Sequence, residues 1–256
     1  TRRTRTPHIR TSHTHATRPT PAPHRPVDVG KQRWTFVQRV TLAVVCVATA
    51  MLMLDIAVVN TALPAMAREF DAGMTSLKWV IDGYTLALAT IVLSAGAWAD
   101  RIGRRRVFVV GAVVFTIGSA VCAAAGDILT LNAARVGQGM GAALLFASSL
   151  ALLANAFPGK EERTKALAAY GATIGASFAV GPLLGGVLTD WIDWRAIFVV
   201  NIPLGIAMVY ATRWIDESAS SCPRRGDVWG QLSVVLALGA LTYGLVEANA
   251  RGWADA

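Results

Sequence analysis

The sequence predicts an all-α integral membrane protein with seven spans. Three observations carry that prediction. Hydrophobic residues make up 54% of the 256 and charged residues only 16%, whereas charged residues approach about a quarter of a soluble domain. The apolar residues gather into seven runs, each close to the about 20 residues that a bilayer-crossing helix needs. The basic residues then collect in alternate connections, as they do when short cytoplasmic loops carry the excess of Lys and Arg.

Residues 1–38 read as a disordered basic tail. They are rich in Thr, Arg, Pro and His and hold few large apolar residues, so they cannot bury enough surface to offset the entropy of ordering. Residues 1–40 carry nine Arg/Lys against Asp28 alone, while the rest of the chain carries fifteen of each sign. The net charge of +8 therefore belongs to the tail, and nothing in the membrane part points to nucleic acid. Basic residues beside the first span suit the cytoplasmic side and contact with anionic lipid. His13 and His15 read as solvated tail residues.

The first apolar run is Val40 to Leu63. A secretory signal peptide has an apolar region of about 7–15 residues; this run is longer and contains Asp55. The next runs are Trp79–Ala99, Val107–Ala125, Ile128–Ala156, Ala166–Leu188, Ala196–Trp214 and Val228–Ala248. Between the second and third lies Gly96 to Val107, GAWADRIGRRRV, which reads as a tight loop holding Asp100 and four arginines, Arg101, Arg104, Arg105 and Arg106. With the N-terminus inside, the tail, this loop, Pro158–Lys165 and Arg213–Asp227 hold 19 of the 24 Arg/Lys. The expected division is a tail (1–38), a six-helix domain (39–214), a cytoplasmic loop (215–227) and a seventh helix with its outer end (228–256).

Three ionisable residues fall inside spans: Asp55, Asp82 and Arg135. A charge at a helix centre costs about 2.5–3.5 kcal/mol on insertion scales, so each needs a partner or a wet cavity. At about 1.5 Å rise per residue, Asp55 and Arg135 both lie about 12–13 Å from the outer end of their helices. Equal depth and opposite sign suggest facing helices with a polar cavity between them. Such a pair reads either as a structural tie between helices or as a proton or substrate site. Asp82 lies nearer the outer surface. Small residues recur at Gly137, Gly139 and Gly141 and again at Gly171, Gly175, Gly181, Gly185 and Gly186, a spacing that lets backbones approach. Pro182 removes an amide from the fifth run and predicts a kink. Cys46, Cys122 and Cys222 are too scattered for a disulfide framework. No His/Cys ligand cluster, nucleophile motif or phosphate loop points to an enzyme or a metal.

These residues form a recognisable series. Gly96 to Arg105 (GAWADRIGRR) resembles the signature between helices two and three of the major facilitator superfamily. Leu54 to Pro64 (LDIAVVNTALP, with Asp55 and Asn60) resembles the first-helix motif of its drug:proton antiporters, especially the fourteen-span EmrB/QacA-type branch. Arg135 to Gly139 (RVGQG, with Gln138) resembles the fourth-helix motif, and Gly175 to Gly186 (GASFAVGPLLGG) the fifth-helix antiporter motif. Trp194 to Gly205 (WRAIFVVNIPLG) resembles the start of the sixth helix, and Trp79 to Tyr84 (WVIDGY) resembles pumps with an acid in the second helix.

The resemblance implies a six-helix half built of two inverted three-helix repeats, plus a seventh helix. It implies a proton-coupled exporter of drugs or antibiotics in the plasma membrane, powered by the proton motive force without a cofactor. Asp55, Asp82, Arg135, Asn60 and Gln138 would serve protons or substrate. Gly96, Asp100, Arg101, Gly103, Arg104 and Arg105 would form a conformational gate; Gly175, Gly181, Pro182, Gly185 and Gly186 would pack or kink the fifth helix. The implied partners are a small amphipathic or cationic organic substrate, the lipid bilayer and a second half of the transporter. A family member needs that second half, so the chain reads as an N-terminal portion or a truncated product. The alternatives are a dedicated exporter of one native metabolite and an inactive membrane fragment.

Overall fold

The computed structural model describes residues 34–219 and 228–251. The tail through residue 33, residues 220–227 with Cys222, and residues 252–256 lie outside the described residues. All regular structure among the described residues is helical: α1 (Phe36–Phe70), α2 (Met74–Ile102), α3 (Arg104–Ala123), α4 (Ile128–Ala156), α5 (Lys160–Trp191), α6 (Ala196–Val199), α7 (Asn201–Ala211) and α8 (Val228–Arg251). α6, α7 and a closing 3-10 turn, Thr212–Trp214, follow one another as a sixth span. Among the described residues, six helices are long and apolar enough to cross a membrane.

The helices outrun the apolar runs because caps, not hydrophobicity, set their ends. Thr35 and Gln38 form a capping box: the Thr35 hydroxyl accepts from the Gln38 amide at 3.2 Å and the Gln38 side chain accepts from the Thr35 amide at 2.9 Å. That starts α1 at Phe36, before its apolar run. Asp127 caps α4 by accepting from the Thr130 amide at 2.8 Å and hydroxyl at 2.7 Å. Those bonds favour its charged form and hold its carboxyl below the usual carboxylate range.

The expected loop at Gly96–Val107 is mostly helix. α2 runs on through Ile102, α3 begins at Arg104, and Gly103 alone turns the chain, with φ of +118°. Arginine is a good helix former, so a run of charge ends the apolar segment without ending the helix. α1 and α5 likewise continue through Pro64 and Pro182.

The packing follows an internal symmetry. α1 packs on α5, and α2 packs on α4. Exchanging spans one to three for spans four to six maps one of these pairs onto the other. The same exchange maps the α1–α4 and α3–α7 contacts onto themselves, as two inverted three-helix repeats require. α1 and α4 therefore meet at the repeat interface, and α8 lies against α2.

Glycine makes the closest approaches possible. A side chain at Gly139 would run into the Tyr84 backbone, one at Gly181 into Ala57, and one at Gly185 into Thr61 and Val58. Gly137, Gly171, Gly175 and Gly186 correct the sequence reading: nothing lies within 4 Å of a Cβ built there. Their spacing matches, but they point away from the described neighbours.

Candidate functional site

Asp55 sits where α1 crosses α4. Arg135 and Gln138, three residues apart on α4, share one helix face and turn toward it. Arg135 Nη1 donates to Asp55 Oδ2 at 2.5 Å and to Gln138 Oε1 at 2.7 Å, and its Nε donates to the Val80 carbonyl of α2 at 2.9 Å. Gln138 Nε2 donates to Asp55 Oδ1 at 3.1 Å and to Ser119 Oγ of α3 at 2.8 Å. Asn201, the first residue of α7, donates from Nδ2 to Asp55 Oδ1 at 3.3 Å and to Ser119 Oγ at 3.4 Å. Cys122 Sγ donates to Gln138 Oε1 at 3.7 Å. Groups from five helices, four through side chains and α2 through the Val80 carbonyl, thus form one network around a carboxylate and a guanidinium.

The two groups are buried and in direct contact, which corrects the expected polar cavity between them. The Arg135 and Asp55 side chains are 1% and 0% exposed. The Tyr84 ring lies 4.2 Å from the Arg135 guanidinium carbon and the Phe198 ring 5.8 Å, so aromatic faces close over the cation and attract it. Depth in the membrane matched the two charges correctly. Whether water lies between them depends on which way neighbouring helices face, and depth does not report that.

A cavity does reach the site from one side. It measures about 280 Å³ and lies between α1, α5 and the sixth span, with Leu54, Leu184, Leu188 and Val200 among its apolar walls. Asp55 and Asn201 are its polar lining residues.

The structure brings together Asp55, Arg135 and Gln138 of the residues expected to serve protons or substrate, and leaves two apart. Asn60 is exposed and donates to the Ile56 carbonyl of its own helix at 2.9 Å. Asp82 is half-buried and has no polar partner among the described residues. Sequence reasoning gave no site role to Ser119, Tyr84, Cys122 and Asn201. Tyr84 and Asn201 stand inside the quoted motifs. Ser119 had only its polarity in an apolar run to mark it.

The expected gate residues divide as well. Arg104 bonds Asp100 at 3.2 Å and the Ala151 carbonyl at 3.4 Å. The Arg105 amide donates to Glu217 at 3.1 Å, the Arg104 amide to the Ser218 carbonyl at 2.9 Å, and Arg106 pairs with Glu217 at 3.7 Å. The segment after the sixth span is thereby tied to the start of α3, a contact that no sequence motif announced. A side chain at Gly103 would meet the Glu217 carboxylate at 2.5 Å. Arg101 is exposed, and Gly96 lies within α2 with open space beside it, so neither contributes a contact among the described residues. At the opposite end Glu69 accepts from Trp194 at 2.6 Å and from Arg195 at 2.9 Å, and Arg195 also donates to the Ala125 carbonyl at 3.0 Å. The bond to Glu69 raises the proton affinity of Arg195. This cluster ties the end of α1 to the α3–α4 and α5–α6 connections.

The chain matches the Major Facilitator Superfamily over residues 45–248. It is 40% identical over 217 residues to the multidrug resistance protein Stp of Mycobacterium tuberculosis, an alignment covering 84% of this chain and 40% of that protein. It is 36% identical over 217 residues to the tetracenomycin C resistance and export protein of Streptomyces glaucescens, covering 84% and 40%. The chain thus spans about 40% of the length of these curated relatives. Among solved structures, the peptide transporter POT in complex with sulfate shares the fold with a TM-score of 0.63, at 16% identity, over 81% of this chain and 45% of that one. A helical membrane protein with paired inverted repeats, whose sequence matches this family across four-fifths of its length, belongs to the Major Facilitator Superfamily.

Proposed function

We propose that this chain forms part of a proton-coupled antiporter that exports amphipathic drugs or antibiotics across the plasma membrane. The observation that supports this best is the sealed Asp55–Arg135 pair at the interface of the two inverted repeats, where transporters of this architecture place their coupling sites. While both groups are charged, the pair is neutral overall and tolerates a dry surrounding. A proton on Asp55 removes the partner of Arg135 and leaves a buried cation. That state is stable only if water or a new partner reaches Arg135. Protonation and opening of the site are therefore linked, as coupling requires.

The basic bias of alternate connections supports a cytoplasmic N-terminus. Protons then run inward and the organic substrate outward. The Asp100–Arg104 pair and its neighbouring arginines would hold the cytoplasmic face against a second half of the transporter and let go as access alternates. Asp82, half-buried and without a polar partner among the described residues, is the candidate for engaging a cationic substrate. A second reading, a dedicated exporter of one compound, is favoured by the relative named for tetracenomycin C alone. A panel of substrates tested on the full-length transporter separates the two.

Asp55→Asn in the full-length transporter should abolish drug movement driven by an imposed pH gradient in proteoliposomes, with insertion into the membrane unchanged. The amide keeps the shape but carries no titratable proton. Efflux equal to that of the parent would refute the proposal.

A further inference from the structure

We infer that Asn201 is the side chain that turns to let a proton onto Asp55, which makes it a positioning residue for the coupling site. The inference rests on the reading of Asp55 as the protonated carboxylate. Asp55 Oδ2 is held by Arg135 at 2.5 Å, so the incoming proton goes to Oδ1. There it meets two amide donors, Gln138 and Asn201. One of them must give way, because the proton occupies one of the two lone-pair positions that Oδ1 offers the amides and leaves only one to accept.

Gln138 is not free to turn. Its Oε1 accepts from Arg135 at 2.7 Å and its Nε2 donates to Ser119 at 2.8 Å; rotation of its amide would set Nε2 against the guanidinium. Asn201 is different. Both bonds from its Nδ2 are long, 3.3 Å to Asp55 and 3.4 Å to Ser119. No described residue donates to its Oδ1, and that atom is not fully enclosed. The residue also lines the cavity between α1, α5 and the sixth span, which leaves room for the amide to rotate. A half-turn about its last side-chain bond brings Oδ1 to face both Asp55 Oδ1 and the Ser119 hydroxyl. The same side chain then accepts from the protonated acid and from Ser119.

The step balances. A hydronium ion gives its proton to Asp55 Oδ1 and leaves as water; an O–H bond forms on Asp55, and no other covalent bond changes. Arg135 keeps the Val80 carbonyl, Gln138 Oε1 and the Tyr84 face. The titratable and charged groups around Asp55 are Arg135 from α4, Tyr84 from α2 and Cys122 from α3. α5 and the sixth span place no charged residue on the cavity wall.

Infrared difference spectra of this chain in lipid nanodiscs, recorded against pH, test the inference without any transport. The parent should show a protonated-carboxyl C=O band that Asp55→Asn removes. In Asn201→Leu the protonated acid loses its acceptor. Its band should then emerge about one pH unit further to the acid side, a shift of the size one hydrogen bond supports. The C=O stretch should also move to higher wavenumber. Asn201→Ala, read the same way, serves if the leucine variant does not fold. A pH profile and band position unchanged in the folded variant overturn the inference while leaving Asp55 as the proton site. A shift toward alkaline pH, the mark of a donor lost from the carboxylate, also overturns it. If the parent lacks a band that depends on Asp55, the proton-site reading fails, and the role of Asn201 with it.

Discussion

Arg135→Leu is expected to lower the stability of the protein by about 3–5 kcal/mol, the usual consequence of removing one member of a buried ion pair. Asp55 would be left as a buried carboxylate with two amide donors and no cation. Gln138 Oε1 and the Val80 carbonyl would lose their strongest donor as well. Combining Arg135→Leu with Asp55→Leu should restore at least half of the loss, because neither charge then remains to be desolvated. The two sites touch, so their effects should not add. Unfolding by heat or urea in detergent micelles measures all three variants. A double variant whose loss equals the sum of the single losses would show that the pair does not act as one unit.

Two glycines on α4, only two residues apart in sequence and so about 200° apart around the helix, should behave in opposite ways. Gly139→Ala places a Cβ against the Tyr84 carbonyl carbon and Cα at 3.0 Å, and closer still to its oxygen. Backbone cannot rotate aside as a side chain can. α2 must therefore back away from α4, at a cost of about 1–3 kcal/mol or more. The movement would carry Tyr84 off the Arg135 guanidinium and stretch the bond from Arg135 to Val80, so the site should loosen along with the fold. Gly137→Ala meets nothing within 4 Å and should instead stabilise the helix by about 0.5–1 kcal/mol. Melting temperatures of the two variants in the same detergent decide this. Similar shifts of the same sign would contradict the α2–α4 packing described here.

The charged pair was legible in the sequence because depth along a spanning helix is simple arithmetic. Asp55 and Arg135 count to the same level, and they touch. Direction around the helix was harder to read. Asn60 follows Asp55 by five residues, which at about 100° each turns it about 140° away, and it is exposed. Asp82 drew notice as an acid in a span, yet its helix presents Val80 and Tyr84 to the pair. Asn201 and Ser119 lie far apart in sequence from Asp55, and only the packing of α3 and the sixth span brings them to it. The six-helix plan was visible from the apolar runs and the motifs. Its turns were less so: one glycine at position 103 replaces a loop, and Glu217, well over a hundred residues later, closes against it.

Proton release on substrate binding is the most direct measurement. The full-length transporter, solubilised in detergent and weakly buffered, should acidify its medium when a transported drug is added, and the Asp55→Asn variant should bind the drug without doing so. Equal acidification by parent and variant would show that the exchanged proton does not reside on Asp55.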